Sequence, residues 1–346
     1  MISDDEAPAL RVPIPRSRTA QVHAPLRVLS LTGGGYRGLF TAQVLVQLCE
    51  HARRTGRLDR AFDVFAGTSI GGLMACALAV GVLPRRVLDA IDAYCPRIFP
   101  AKRQRTLRRV LFGSLYDADH LAKAIEACLG RQHAQTLLKD VKKGLVVPAV
   151  NWVTGQTEIF MSGFMGKAHA SDATLRDVCL ATAAAPTYFR AHEMEGMPML
   201  DGGLAANNPD IVAITEIARR WPERFARIQM LSVGTAGADG LRHAAKANKS
   251  GLAWANMLPN FMISVQESSA AAQAQRLLGD RYVRVNYAPS RRDPAFDNLD
   301  LANETTRQAL LDAGTQTAQR AYQQHQAFVD RLLGGGMRAA AIATSA

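Results

Sequence analysis

Phe62-Asp63-Val64-Phe65-Ala66-Gly67-Thr68-Ser69-Ile70-Gly71-Gly72 is the stretch on which the fold reading turns. The apolar run at 62–66 reads as a buried strand, the glycine-marked segment 67–72 as a tight turn, and the apolar residues to about 80 as a helix. The same plan occurs upstream. Arg27-Val28-Leu29-Ser30-Leu31 reads as a strand ended by Gly33-Gly34-Gly35, and Leu39, Phe40, Val44, Leu45 and Leu48 then recur at helical spacing.

Downstream the alternation continues. Pro84 opens a helix with Val87, Leu88 and Ile91 on one face, and Asp117 caps another over 121–129. Strands are expected at 145–153 and 157–161. Thr174 and Asp177 form a capping box for a helix that Pro186 ends. A strand at 197–200, a helix at 209–220 and strands at 228–233 and 282–286 follow, then a long Gln/Ala-rich helix at 305–333. Alternating strands and helices imply an α/β sandwich with a mainly parallel sheet. The expected organisation is a loose lead-in at 1–25, a catalytic core at 26–235, a mostly helical part at 236–333 on the same domain, and a flexible tail at 334–346.

Composition narrows the classes. The chain has 346 residues, 48% hydrophobic and 21% charged, which excludes disordered, collagen-like and coiled-coil proteins. With 41 Lys+Arg against 30 Asp+Glu, the net charge of +11 favours anionic partners. No apolar run approaches the ~20 residues of a membrane helix. The acidic start Met1-Ile2-Ser3-Asp4-Asp5-Glu6 does not read as a secretory signal. Cys49, Cys76, Cys95, Cys128 and Cys179 lie among apolar residues and read as reduced, buried thiols. No metal-binding spacing is present, so neither metal nor cofactor is expected.

Three glycine-marked turns carry chemistry. Gly67-Thr68-Ser69-Ile70-Gly71 matches G-x-S-x-G, in which a serine on a strand-to-helix turn presents its hydroxyl at the sheet edge. Taken alone, the pattern supports a nucleophile turn and a plain structural turn equally. Gly33-Gly34-Gly35-Tyr36-Arg37-Gly38 lets successive N–H groups converge on one anionic point, as an oxyanion hole requires. The same residues satisfy the dinucleotide fingerprint, but the second strand carries its acid, Asp63, at its start rather than its end, which demotes that reading. Asp201-Gly202-Gly203 places an acid at a strand end, suited either to a turn or to a general base for Ser69. A Ser–Asp–His triad would draw on His243 or His325, both in segments that read as solvated.

These three signatures, in this order, resemble those of the patatin-like phospholipases. Ala184-Ala185-Pro186-Thr187-Tyr188-Phe189 and Asn207-Asn208-Pro209 also resemble family segments. The resemblance implies a three-layer α/β/α fold with a helical C-terminal extension, and a Ser–Asp dyad acting on the acyl esters of membrane lipids. Carried over by motif, Ser69 is the nucleophile and Asp201 the base. Gly33, Gly34, Gly35 and Arg37 supply the oxyanion site, and Gly38, Gly67, Gly71, Gly202 and Gly203 support the turns. Thr32 departs from the aspartate that many members carry there; that position lies outside the dyad.

The sequence also resembles, less specifically, bacterial patatin-like antiphage effectors. These are cytosolic, and a cyclic di- or trinucleotide switches on their attack on the inner membrane. The implied partners are a phospholipid surface and a cyclic oligonucleotide, with a homo-oligomer left open and no nucleic acid. The rivals are an unregulated housekeeping lipase and a non-catalytic nucleotide- or lipid-binding module. Two further segments remain open. The basic run Arg97, Lys102, Arg103, Arg105, Arg108, Arg109 reads as a solvated face or as a contact for anionic groups. Trp254, Met257, Leu258, Phe261, Met262 and Val265 read as core or dimer contacts, or as a lipid-docking face.

Overall fold

Strand β1 (Leu26–Leu31) is buried throughout except at Arg27, as an apolar run covered on both faces must be. The structure, a computed structural model, describes residues 24–99, 115–166, 172–237, 251–289 and 293–334, with side chains in the helix at 251–278 described from residue 258 on. After β1 come α1 (Gly38–His51), β2 (Val64–Gly67), α2 (Ile70–Ala79), α3 (Pro84–Ile98) and α4 (Ala118–Leu129). Then follow β3 (Gly144–Asn151), β4 (Thr157–Met161), α5 (Leu175–Thr182), β5 (His192–Met194) and β6 (Met197–Asp201). The chain continues through α6 (Asp210–Arg220), β7 (Ile228–Val233), α7 (Gly251–Leu278), β8 (Tyr282–Val285) and α8 (Glu304–Leu333).

The strands form one mixed sheet in the order β5-β6-β3-β2-β1-β7-β8, with β4 also paired to β3. The pairs β1–β2, β1–β7, β2–β3 and β7–β8 are parallel, and those of β3 with β4 and β6 and of β5 with β6 are antiparallel. Alternate residues along each central strand serve different cores. Leu29, Leu31, Phe65, Leu145 and Val147 face one, with α1 to α5 and α8. Val28, Val64, Ala66 and Val146 face the other, with Ile214 and Ile217 of α6 and Ala274 and Leu278 of α7. The mainly parallel sheet and the layered α/β/α plan expected from the sequence are both present.

Several local expectations hold for the physical reason that suggested them. Asp117 accepts the Asp119 N–H at 3.0 Å and caps α4, and Thr174 accepts the Asp177 N–H at 3.1 Å and caps α5. Strand β5 has no clear sequence signal. It is three residues long with His192 and Glu193 in it, the charged short edge that limits unwanted pairing. Helix α8 is fastened to the core. Arg307 makes a two-point contact with Asp92 of α3, 2.7 Å at each oxygen, and Gln43 of α1 donates to Thr315 at 2.9 Å. All five cysteines are free and buried. Among the described residues no helix is long and apolar enough to cross a membrane.

Gly71 marks a tight constraint near the sheet end. A β-carbon there would press into the carbonyl oxygens of Leu31 and Thr32, backbone atoms that cannot swing aside. Gly71→Ala is expected to destabilise the fold by about 1–3 kcal/mol, read as a lower midpoint in guanidinium unfolding.

Candidate active site

Ser69 sits between β2 and α2 with φ +54° and ψ −124°, a backbone conformation that a non-glycine residue rarely adopts. Such strain costs of order 1–3 kcal/mol and persists only where the surroundings over-determine it. Here they do. The Ser69 N–H donates to Thr182 Oγ1 at 3.1 Å, and that hydroxyl donates in turn to the Pro148 carbonyl at 2.6 Å. Thr68 Oγ1 donates to the Ala206 carbonyl at 2.6 Å, and the Thr68 N–H to Leu31 O at 3.2 Å. A β-carbon on Gly67 would collide with the Gly71 carbonyl, so the turn closes only around glycine.

Strand register brings Asp201 to this serine. On one edge of β3, Val146 lies opposite Ala66 of β2 and Ala149 lies opposite Asp201 of β6. Strand β4 occupies the other edge, opposite both Val146 and Ala149. Ser69 is three residues beyond Ala66, as Ala149 is three beyond Val146, so β6 takes over the edge of β3 where β2 stops. The result is a 2.7 Å hydrogen bond from Ser69 Oγ to Asp201 Oδ2. The other carboxyl oxygen accepts the Gly203 N–H at 2.6 Å, and the Asp201 N–H donates to Ala184 O at 2.9 Å.

Asp201 is 6% exposed. Burial pushes its carboxyl up to about 6, against the opposing pull of the Gly203 N–H and the Ser69 hydroxyl. A carboxylate so placed is a far better proton acceptor than a solvated one and is still ionised at neutral pH. His325 lies exposed on α8, away from this pair, and His243 lies outside the described residues.

The glycine loop divides. The Gly34 and Gly35 N–H groups have no protein partner among the described residues, and both glycines line the cavity that holds Ser69. The Gly33 N–H instead donates to Asn207 O at 2.9 Å. Arg37 does not line this cavity; its buried guanidinium donates to the Phe296 carbonyl at 2.8 Å. Burial draws the Arg37 guanidinium below its ordinary value, with the Glu267 and Asp297 carboxylates opposing that shift. Gly35 has φ +56°, and a β-carbon on it would strike the Leu299 carbonyl. The oxyanion residues expected from the sequence are therefore brought together only in part: Gly34 and Gly35 present donors, whereas Gly33 and Arg37 hold the loop.

The cavity has a volume of about 510 Å³ and is mostly apolar, with Leu73, Ile98, Phe99, Leu121 and Ile125 on its walls. Cys95 and Cys179 join them; burial pushes the Cys95 thiol up to about 12 and raises Cys179 as well, so both stay protonated. An apolar pocket of this size accommodates an extended hydrocarbon chain.

Residues with no motif complete the site. From α7, Gln266 Oε1 accepts the Asn207 N–H at 2.6 Å, and Gln266 Nε2 donates to Ala205 O. The Asn207 side-chain amide donates to the buried Glu267 carboxylate and to Gly33 O at 3.2 Å. Gln266 and Glu267 lie one helical turn beyond Ile263, which lines the cavity. The only sequence signal was two polar residues following an apolar one at that spacing. Of the basic run, Arg97 closes α3 with its guanidinium 5.4 Å from the Tyr94 ring; Lys102 to Arg109 lie outside the described residues, as do the side chains of Trp254 and Met257.

Residues 29–214 match the family model described as patatin-like phospholipase, and the chain belongs to that family. It is accordingly a lipid acyl hydrolase. Among curated relatives, a cGAMP-activated phospholipase of Vibrio cholerae serotype O1 is 31% identical over 88% of this chain and 94% of its own. A protein of the same description from Pseudomonas aeruginosa is 33% identical over 85% and 88%. Among solved structures, human GIVD cytosolic phospholipase A2 aligns over 90% of this chain and 60% of its own, at 12% identity and a TM-score of 0.43.

Two outcomes are expected. Asp201 holds a proton more readily in the folded chain than in the unfolded one, so ionisation above about pH 6 opposes folding. Asp201→Asn should therefore raise stability at pH 8 by about 1–3 kcal/mol, a gain that shrinks as pH falls from 6 towards 4; lower stability at pH 8 in urea unfolding would contradict this. Glu267→Ala should lower turnover of a short-chain ester roughly 10–100-fold with little change in KM, and Glu267→Gln, which can still accept from Asn207, should recover much of it.

Proposed function

We propose that the protein cleaves fatty-acyl esters of membrane phospholipids with Ser69 as nucleophile and Asp201 as base, and that a cyclic dinucleotide switches it on. The observation that carries the catalytic part is the 2.7 Å contact of the Ser69 hydroxyl with a buried carboxyl raised to about 6, beside a chain-sized apolar cavity.

The chemistry runs in two halves. Ser69 Oγ attacks the ester carbonyl carbon as its proton passes to Asp201. The carbonyl oxygen becomes an oxyanion held by the Gly34 and Gly35 N–H groups. The intermediate collapses, Asp201 gives the proton to the departing alcohol oxygen, and the acyl group stays on Ser69. Water then attacks the acyl ester, Asp201 takes its proton and returns it to Ser69, and the fatty acid leaves.

The regulatory part is supported by the two bacterial relatives described as cGAMP-activated, which align along most of this chain. The surplus of 41 Lys+Arg over 30 Asp+Glu suits a phosphodiester ligand. An enzyme that attacks its own cell's bilayer must be silent until signalled, which fits a role in bacterial antiphage defence.

The test is fatty-acid release from phosphatidylethanolamine/phosphatidylglycerol vesicles, with and without cyclic GMP–AMP. Release by the wild type should depend on the nucleotide. Ser69→Ala should lower it by roughly 10⁴-fold or more and Asp201→Asn by roughly 10²–10⁴-fold. The wild-type rate should fall as pH drops through about 6, where Asp201 takes up its proton. Equal release without nucleotide would remove the switch, and full activity of Ser69→Ala would overturn the mechanism.

A further inference from the structure

Among the described residues, two groups of exposed large apolar side chains stand near the end of the sheet that carries Ser69 and Asp201; Leu83, Phe164 and Leu277 are exposed elsewhere. The first is the β3–β4 turn. Trp152 is 69% exposed and Val153 65%. Trp152 lies three residues beyond Ala149, the partner of Asp201, which is about 10 Å further along the strand. This tip is built firmly. Asn151 Oδ1 accepts the N–H groups of Val153 and Thr154 at 2.9 and 3.2 Å, and the Trp152 N–H donates to Pro198 O at 2.9 Å. Met197, at the neighbouring β5–β6 turn, is exposed beside it. A fixed turn therefore holds a tryptophan and a valine in water.

The second place is α7. Pro259, Asn260 and Ile263 line the catalytic cavity, while Leu258, Met262 and Val265 point outward, Met262 at 61% exposure. Leu204 joins the two settings: it lines the cavity and is 54% exposed. Apolar surface thus runs from the interior of the active site out to the exposed face of α7.

We infer that this rim, the Trp152–Val153 turn together with the outer face of α7, is the surface by which the enzyme docks on a phospholipid bilayer. The inference rests on the phospholipid-hydrolase reading above. The choice of a bilayer over a protein partner follows from three observations. The apolar surface runs into the cavity that must receive the acyl chain, so docking and substrate entry share one path. A tryptophan at the tip suits the boundary between head groups and hydrocarbon. The net charge of +11 attracts anionic lipid over a longer range than apolar contact does.

The experiment is flotation of the full-length protein with phosphatidylethanolamine/phosphatidylglycerol vesicles, with and without cyclic GMP–AMP. It is run in a Ser69→Ala background so that the lipid stays intact. Trp152→Ser and Met262→Ser should each weaken vesicle partition on the order of tenfold, and the pair should weaken it further. With Ser69 restored, fatty-acid release from vesicles should fall in step, while hydrolysis of a monomeric short-chain ester and the thermal midpoint stay unchanged. Partition of both variants equal to the parent, or no binding of the parent in either condition, would overturn the docking surface. So would a change in oligomeric mass with vesicle binding intact, which would assign the face to a second copy. Vesicle binding lost in the variants, with no lipid hydrolysed by the wild-type protein carrying Ser69, would support the docking surface and overturn the hydrolase reading.

Discussion

Strand β3 is longer than β2, and two strands share one of its edges. Where β2 ends at Gly67, β6 enters in the opposite direction and continues the ladder. The serine turn and the aspartate strand end therefore meet across a gap that backbone hydrogen bonding sets. Neither side chain has to reach. Thr182 secures the junction from below, because its hydroxyl accepts from the Ser69 N–H and donates to Pro148, and its carbonyl accepts the Gly202 N–H at 3.2 Å.

That geometry has an energetic consequence. A serine with positive φ and a carboxyl buried at 6% exposure both oppose folding. The surrounding ladder and the two apolar cores supply the compensation. Burial raises the Asp201 carboxyl, the Gly203 N–H and the Ser69 hydroxyl oppose that rise, and the balance stands at about 6. The same low polarity keeps Cys95 and Cys179 as thiols, so the cavity wall stays apolar where a hydrocarbon chain would lie.

Helix α7 ties substrate entry to the oxyanion loop. One turn of it walls the cavity, and the next holds the Ala205–Asn207 segment through Gln266 and Glu267. Asn207 in turn grips Gly33 through both its carbonyl and its side-chain amide. The cavity wall and the glycine loop are therefore tied to the same helix.

Most of the layered fold was readable from local pattern: apolar runs ending in glycine, helical periodicity, and the capping residues Asp117 and Thr174. The turns that carry Ser69 and Asp201 were readable too, because each needs distinctive glycines around it. Strand β5 and the polar pair on α7 were not readable, since a three-residue edge strand and two polar residues in a helix carry no periodic signature. The division of labour in the glycine loop was not readable either: Gly33, Gly34 and Gly35 are identical in sequence and differ only in what packs against them. The sequence by itself determined the turns, the family and the residue types available for chemistry, because short-range sterics dictate them. The tertiary structure alone decided which amides stay free, how far the Asp201 pKa rises and which apolar residues remain in water. Those properties depend on neighbours brought from more than a hundred residues away, such as Ser69 and Asp201, 132 apart in the chain.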